Sequence, residues 1–356
     1  MHTDAENDYD EPTGKHRKRP TPQQQRRRRW PAITIFVSFL ALAVVLPFLL
    51  SAGHVKDTSV LSSSFTLGGS VKSSEPLPVS YELAKKDSFG FFTDIDDKHW
   101  KRMQKASQRE VLFRRPKSPE KDSEMGALWM LENVDPIFTC LHQRRIGGRG
   151  DGAKWVCDPH RLAEKEDCLI YSIGSAGQYQ FEDGLISFLG KPHCEIHVFD
   201  PNRSYARNKD PEKKNIHYHN WGLRSSYRES PTFGNGYIFK SALDIVRDLG
   251  HEGRRIDIFK IDCEGCEWTT YKDWLNSKLD IRQILIETHI STHREDVPVN
   301  RFFREFVERG FLPFSKEANT HPNARPVGTL FEYGFVRLNP DFLGADYFTK
   351  SASKKR

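Results

Sequence analysis

The chain has 356 residues, 37% of them hydrophobic and 12% aromatic, which is enough to bury a substantial core and too apolar for a disordered protein. Its net charge of +6 is misleading, because Lys15 to Arg29 alone hold eight Lys or Arg and no acid. The remainder is close to neutral, which argues against the basic domain face that a nucleic-acid footprint requires.

Directly after Arg26 to Arg29 and Trp30 comes PAITIFVSFLALAVVLPFLL, Pro31 to Leu50, with no charged residue. At ~1.5 Å per residue this run reaches across a ~30 Å hydrocarbon layer. It exceeds the ~7–15 apolar residues of a cleavable signal peptide, and core helices rarely lack every charge over such a length, so a retained anchor is expected. Pro47 near its exit is tolerated in membrane helices. The basic block lies before the span and only His54 and Lys56 closely follow it, so the positive-inside rule puts the N-terminus in the cytosol. Everything beyond Leu50 then faces the lumen of the Golgi or another secretory-pathway compartment, or the cell exterior, which is an oxidising space.

The expected organisation is a basic cytosolic tail over 1–30, an anchor in the lipid bilayer over 31–50, and a flexible Ser/Gly/Thr/Pro stem over 51–80. A membrane-proximal helical segment follows over 81–125, where Asp96 or Asp97 caps a helix running toward Phe113. The main domain covers 126–345, and 346–356 is a short basic tail. Cys140 and Cys157 bracket the loop RRIGGRGDGAK and are the pair expected in a disulfide, although six cysteines allow many connectivities.

From Cys168 short apolar runs alternate with amphipathic stretches, the pattern of parallel strands joined by crossover helices. Strands are expected at 168–173, 195–200, 216–223, 255–262 and 281–290, with helices at 181–189, 241–250, 267–278 and 299–310. The last segment, Pro313 to Asn339, has no intervening helix and predicts an antiparallel hairpin closing the sheet. In such a doubly wound sheet a nucleotide-like ligand sits at the carboxyl ends of the strands, so the exits are the places to examine. Gly174-Ser175-Ala176-Gly177 after the first strand allows a tight turn and close backbone approach, though a Gly-x-x-Gly is often only a turn. Asp200 at the second exit is placed to accept both hydroxyls of a ribose, or else simply opens an Asp-Pro turn. Asp262, Glu264 and Glu267 crowd the fourth exit around Gly265, where they serve either a ligand or the first turn of the next helix. Glu287 and His289 close the fifth strand on one face and are candidates to orient or deprotonate an acceptor.

The segments CDPHRL, CLIYSIGSAGQYQFEDGL, EIHVFDPNRS, HNWGL, FKIDCEGCEWTTY and ILIETH, in this order, resemble the methyltransferase domain of the FkbM-like superfamily, and specifically its animal methyltransferase-like branch. The similarity covers about residues 125 to 340, and KIDCEG is its distinctive element. It implies a Rossmann-like class I methyltransferase fold, mostly parallel, and S-adenosylmethionine as cofactor. It also implies cofactor-binding roles for Gly174, Ser175, Gly177, Asp200, Asn220, Trp221 and Asp262, with Gly222 alongside. The glycine loop carries two glycines where the strictest methyltransferase pattern has three. Glu264, Glu287 and His289 are the candidate catalytic residues, the reaction is expected to be O-methyl transfer to an unknown glycan, small molecule or protein, and no metal ligands are assigned.

Three other readings compete. Cys263-x-x-Cys266 with His289 and His293 suggests a zinc site, but a second close-spaced ligand pair is missing. A tail, anchor, stem and luminal α/β domain is also the layout of Golgi glycosyltransferases, and Asp94-Ile95-Asp96 supplies an Asp-x-Asp for a metal-bound sugar nucleotide. A fold-retaining binding protein without activity is the third. The sequon Asn202-Arg203-Ser204 lies two residues from Asp200 and is expected to stay unmodified.

Overall fold

Residues 79–115, 123–190, 193–206, 216–226, 236–290, 298–319 and 329–349 are described by the computed structural model. The expected cytosolic tail, the apolar run 31–50, nearly all of the stem and the end of the C-terminal basic tail lie outside these residues. Among the described residues no helix is long and apolar enough to cross a membrane.

Three helices, α1 (Glu82–Asp87), α2 (Asp97–Ser107) and α3 (Ser123–Glu132), precede an antiparallel hairpin of β1 (Arg144–Ile146) and β2 (Lys154–Val156). The α/β alternation then runs β3 (Leu169–Ile173), α4 (Gln180–Leu189), β4 (Glu195–Phe199), β5 (Ile216–His219), β6 (Trp221–Leu223), β7 (Ile238–Lys240), α5 (Ala242–Asp248), β8 (Arg255–Ile261), α6 (Cys266–Leu275), β9 (Asp280–His289), α7 (Val299–Glu308), β10 (Phe311–Ala318) and β11 (Leu330–Arg337). The central sheet has the order β10-β11-β9-β8-β3-β4-β5. The five strands from β9 to the edge strand β5 are parallel, while β11 pairs antiparallel with both β9 and β10. The strand order reverses at β3, which has β4 on one side and β8 on the other. The doubly wound sheet and its antiparallel closing hairpin are thus as the sequence predicts.

The expected strand 216–223 is corrected. It breaks at Asn220, and Trp221–Leu223 leaves the central sheet to pair in parallel with β7. The segment 81–125 is also not separate from the domain. Asp96 caps α2 by accepting from the His99 amide, and Trp100 of that helix is buried among Phe92, Phe138 and Phe342 at ring separations of 5.4 to 6.2 Å. Arg282 of β9 donates to the carbonyls of Ser88 and Phe89, which fastens the segment to the sheet.

Helix α7 shows why the other side of the sheet closes. Val299, Phe302, Phe303, Phe306 and Val307 recur at helical spacing and are all buried, while the outward pairs Arg301–Glu305 and Arg304–Glu308 face solvent. The three phenylalanines meet Trp268 and Tyr271 of α6 and Tyr333 and Phe335 of β11 at 4.7 to 4.9 Å. Full burial of each such ring contributes about 1.5–3 kcal/mol. Three disulfides join Cys140 to Cys157, Cys168 to Cys194 and Cys263 to Cys266. The first is the expected pair; the second ties the starts of β3 and β4; the third removes both thiols from the zinc reading, whose His293 lies outside the described residues.

Candidate active site

The glycine loop is fixed by its neighbours on both sides. Gly174 has φ +76°, and a Cβ there would stand 1.6 Å from the Asp262 carbonyl oxygen, so no other residue fits. Its amide donates to the Phe199 carbonyl at 2.8 Å, and Lys260 Nζ donates to its carbonyl at 3.2 Å. The buried Ser175 accepts from the Gly177 amide at 3.2 Å. Asp200, also buried, accepts from the Ala176 amide at 3.0 Å through one oxygen and from the Asn202 amide at 3.0 Å through the other. The acid of the second exit therefore holds the loop of the first in place. Asn220 follows His219, whose carbonyl accepts from the Asp200 amide at 3.1 Å, so it stands at the same strand ends.

A second group forms where β8 and β9 end. Lys154 of β2, with 1% of its side chain exposed, lies 3.2 Å from Asp262, 2.8 Å from Glu332 and 3.6 Å from Glu287. Glu287 of β9 and Glu332 of β11 are directly opposite in register, an arrangement of like charges that destabilises a sheet unless it is offset. Lys154 and a retained proton offset it. Burial, with Glu332 and Asp262 nearby, pushes the Glu287 carboxyl up to about 9, and burial likewise raises Glu332. Burial would raise Asp262 as well, but Lys154, Lys260 and His289 outweigh it and hold Asp262 below the usual carboxylate range. Burial alone would lower Lys154, yet the three carboxylates keep it well above its ordinary value. For His289, burial is outweighed by a hydrogen bond and charge from Glu267, and its imidazole is pushed up to about 9. At neutral pH the group thus consists of Lys154 and His289 as cations, Asp262 as an anion and Glu287 as a neutral acid.

Glu267 is wholly buried and pins the junction. One oxygen accepts from the His289 backbone amide at 2.7 Å and sits 3.0 Å from its Nδ1, while the other accepts from the Gly265 amide at 2.9 Å. Glu264 adopts φ +55°, a left-handed conformation costly for a residue with a Cβ, and its side chain is 86% exposed with Oε2 3.4 Å from His289 Nε2. Asp262 keeps 17% exposure, against 4% for both Glu287 and His289. Asp262, not Glu287 or His289, is the ionised group open to an incoming molecule.

The structure therefore brings together Gly174, Ser175, Gly177, Asp200 and Asp262 on one side, and Asp262, Glu287, His289 and Glu264 on the other. Asp200 and Asp262 stand at the exits of β4 and β8, with β3 and its glycine loop between them. Trp221 is engaged elsewhere: its indole stacks on His219 at 4.7 Å and carries Lys240 Nζ 3.6 Å from the ring. Gly222 serves packing, since a Cβ there would lie 2.4 Å from the Phe239 ring. Lys154, Glu332 and Glu182 escaped the sequence reading. Glu182, in the first turn of α4 just past the glycine loop, is 1% exposed and neither carboxyl oxygen has a hydrogen-bond partner among the described residues. The Asp-x-Asp of the glycosyltransferase reading is consumed by structure, as Asp94 pairs with Arg161 at 2.6 Å and Asp96 caps α2.

Against this geometry, a family model described as a methyltransferase domain matches residues 82–337. The chain belongs to that methyltransferase-domain family. Its match includes α1 and α2, consistent with their packing on the sheet. Solved structures similar to this methyltransferase include a fibrillarin pre-rRNA processing protein of Methanococcus jannaschii, 10% identical over 57% of this chain and 88% of that one, with a TM-score of 0.32. The 23S rRNA methyltransferase ErmE is 14% identical over 55% and 73% of the two chains, also at 0.32. A putative S-adenosylmethionine-dependent methyltransferase from Streptococcus mutans is 11% identical over 53% and 51%, at 0.31. These likenesses are too distant to bear on fold or acceptor, and no curated protein matches significantly.

The cofactor of this methyltransferase is S-adenosylmethionine, and the residues at the strand exits fit it. Each Asp200 oxygen takes one backbone amide and keeps lone-pair capacity for a hydroxyl. Glu182 is a buried acid whose two carboxyl oxygens have no hydrogen-bond partner among the described residues, an arrangement a donor group must satisfy, and the cofactor carries an ammonium.

Proposed function

We propose that the protein is a type II membrane methyltransferase of the FkbM-like kind, anchored in a Golgi or other secretory membrane through residues 31–50, that transfers a methyl group to an oxygen of a luminal acceptor. The observation that carries the reading is the meeting of Gly174, Asp200 and Asp262 at consecutive exits around β3, where the strand order reverses. Gly174, Ser175 and Gly177 line the cofactor, Asp200 and Asn220 face its ribose, and Glu182 receives its ammonium. Bound S-adenosylmethionine supplies an electrophilic methyl on a positively charged sulfur. The ionised, partly exposed Asp262 would accept a hydrogen bond from an acceptor hydroxyl, orient its oxygen and take up its proton. The cationic His289 and Lys154 hold Asp262 ionised, and Glu287 stays protonated. Glu264 lies at the mouth and shapes access.

Three disulfides support an oxidising compartment, because such bonds persist in the secretory pathway and are rare in the cytosol. The near-neutral domain favours a glycan, small molecule or protein acceptor over nucleic acid. The test is two-part: protease treatment of intact microsomes, then incubation of the purified full chain with methyl-labelled cofactor and fractionated luminal glycans, proteins and small molecules. The reading expects only residues before the anchor to be trimmed, and label on one fraction in base-labile or ether form. Digestion of the whole domain, or label found only on nucleic acid, contradicts it.

A further inference from the structure

We propose a second site at the outer edge of the central sheet, where Glu195, His197 and His217 form a binding site for a divalent transition metal of the zinc class. The site follows from strand geometry. Residues two apart on a strand share a face, and so do residues paired in register across parallel neighbours. Glu195 and His197 stand two apart on β4, and His197 is the register partner of His217 on β5. One donor atom from each lies within 4.8 Å of the other two. Two imidazoles and a carboxylate are the ligand set that zinc accepts at three positions, leaving a fourth open.

The donors are also held in place. His197 Nδ1 lies 2.8 Å from His219 Nε2, which leaves His197 Nε2 aimed at Glu195 Oε1, 2.9 Å away. His251 repeats the arrangement from the neighbouring loop: its Nδ1 is 2.7 Å from the Tyr171 hydroxyl, and its Nε2 is 3.6 Å from the same Glu195 oxygen. Metal-binding histidines are characteristically fixed in this way, with one nitrogen engaged by a partner and the other free to ligate. His251 is placed to supply the fourth ligand. Arg254, 2.7 Å from the second Glu195 oxygen, orients the carboxylate. These side chains sit near the amino-terminal ends of β4 and β5. Five residues at about 3.3 Å each separate Glu195 from Asp200, so the site lies roughly 16 Å from the cofactor acid. The metal would therefore clamp the edge strand, β5, to β4 instead of entering the methyl-transfer chemistry.

The experiment uses the full chain in detergent, stripped with chelator and titrated with Zn²⁺ by calorimetry and with Co²⁺ by visible absorption. One equivalent should bind, with d–d bands of a low-coordinate nitrogen and oxygen site. His217 is exposed, so His217→Ala leaves the fold intact by circular dichroism, and it should weaken binding by at least the roughly 10–100-fold seen for lost supporting contacts. Glu195→Gln should do the same, while Asp262→Asn should leave zinc affinity unchanged. Absence of uptake by the wild-type chain, or wild-type affinity in His217→Ala, overturns the proposal, as does loss of binding in Asp262→Asn alone.

Discussion

Replacing Lys154 by Met removes the ammonium shared by the buried Glu287 and Glu332 and the partly exposed Asp262. Its Nζ lies 2.8 Å from Glu332, 3.2 Å from Asp262 and 3.6 Å from Glu287, with 1% of the side chain exposed. Removing one partner of a buried ion pair typically costs ~3–5 kcal/mol, because the remaining charge is left uncompensated. Part of that cost is recovered here: Glu287 and Glu332 already favour their protonated forms, and in the variant they hold protons still more firmly. The net loss expected at pH 7 is about 3 kcal/mol. The folded variant binds more protons than an unfolded chain whose carboxyls titrate near ~4.3, so the loss shrinks as pH falls toward 5. Urea unfolding of the full chain, followed by tryptophan fluorescence at pH 5 and pH 8, measures both quantities. Adding Glu332→Gln should restore about 1–2 kcal/mol by deleting one uncompensated acid. A loss below about 1 kcal/mol, or equal losses at the two pH values, would refute the assignment of Lys154 as the counter-cation of this group.

Three further outcomes follow from the same geometry. Because the folded His289 is raised to about 9 from an ordinary 6.5, its contribution to stability is fully present below 6.5 and is lost as pH rises through 9; the protonated Glu287 acts in the same direction. Thermal unfolding should show a decline of at least about 3 kcal/mol across that window, and His289→Asn should remove roughly half of it, Glu287 supplying the rest. Gly174→Ala should destabilise by at least ~3 kcal/mol, since its Cβ meets the Asp262 carbonyl, whereas Gly148→Ala, at φ +84° in open space, should cost only about 1 kcal/mol; equal costs by chemical denaturation would remove the close-approach argument. Replacing both Cys140 and Cys157 by Ala opens a disulfide with a sequence separation of 17 and should cost roughly 3 kcal/mol, provided non-reducing peptide mapping of the parent finds the two joined.

The sheet was legible because its signal is local. Runs such as LIYSI and RIDIFKI are buried along nearly their whole length, and a short apolar run between helical stretches fits a strand covered on both faces better than any exposed element. Helix α7 was legible for the same reason, through its repeat of Val299, Phe302, Phe303 and Phe306. The glycine loop and Asp200 could be found because each stands at a strand exit. What sequence reading missed depends on distant pairing. Lys154 is 108 residues from Asp262 and 178 from Glu332, and nothing near any of the three announces the others. Glu182 was passed over because an acid in the first turn of a helix is ordinary; only its burial without a partner distinguishes it. The departure of Trp221 from the sheet was hidden since Ile216 to Leu223 reads as one strand, and the break at Asn220 appears only through pairing with β7. The segment holding Trp100 looked peripheral for its charge, although one buried indole, packed on Phe138 and Phe342, ties it to the core.

The central claim is that the exits around β3 hold the cofactor, and calorimetric titration of the full chain with S-adenosylmethionine and its demethylated product tests it most directly. The wild-type chain should bind both, and Asp200→Ala should weaken binding by about 1.5–3 kcal/mol, roughly ten- to a hundredfold, with the circular dichroism unchanged. Glu287→Gln should leave cofactor affinity close to that of the wild type, since that side chain is engaged by Lys154 and Asn319. No binding by the wild-type chain, or equal affinity in wild type and Asp200→Ala, would contradict the account.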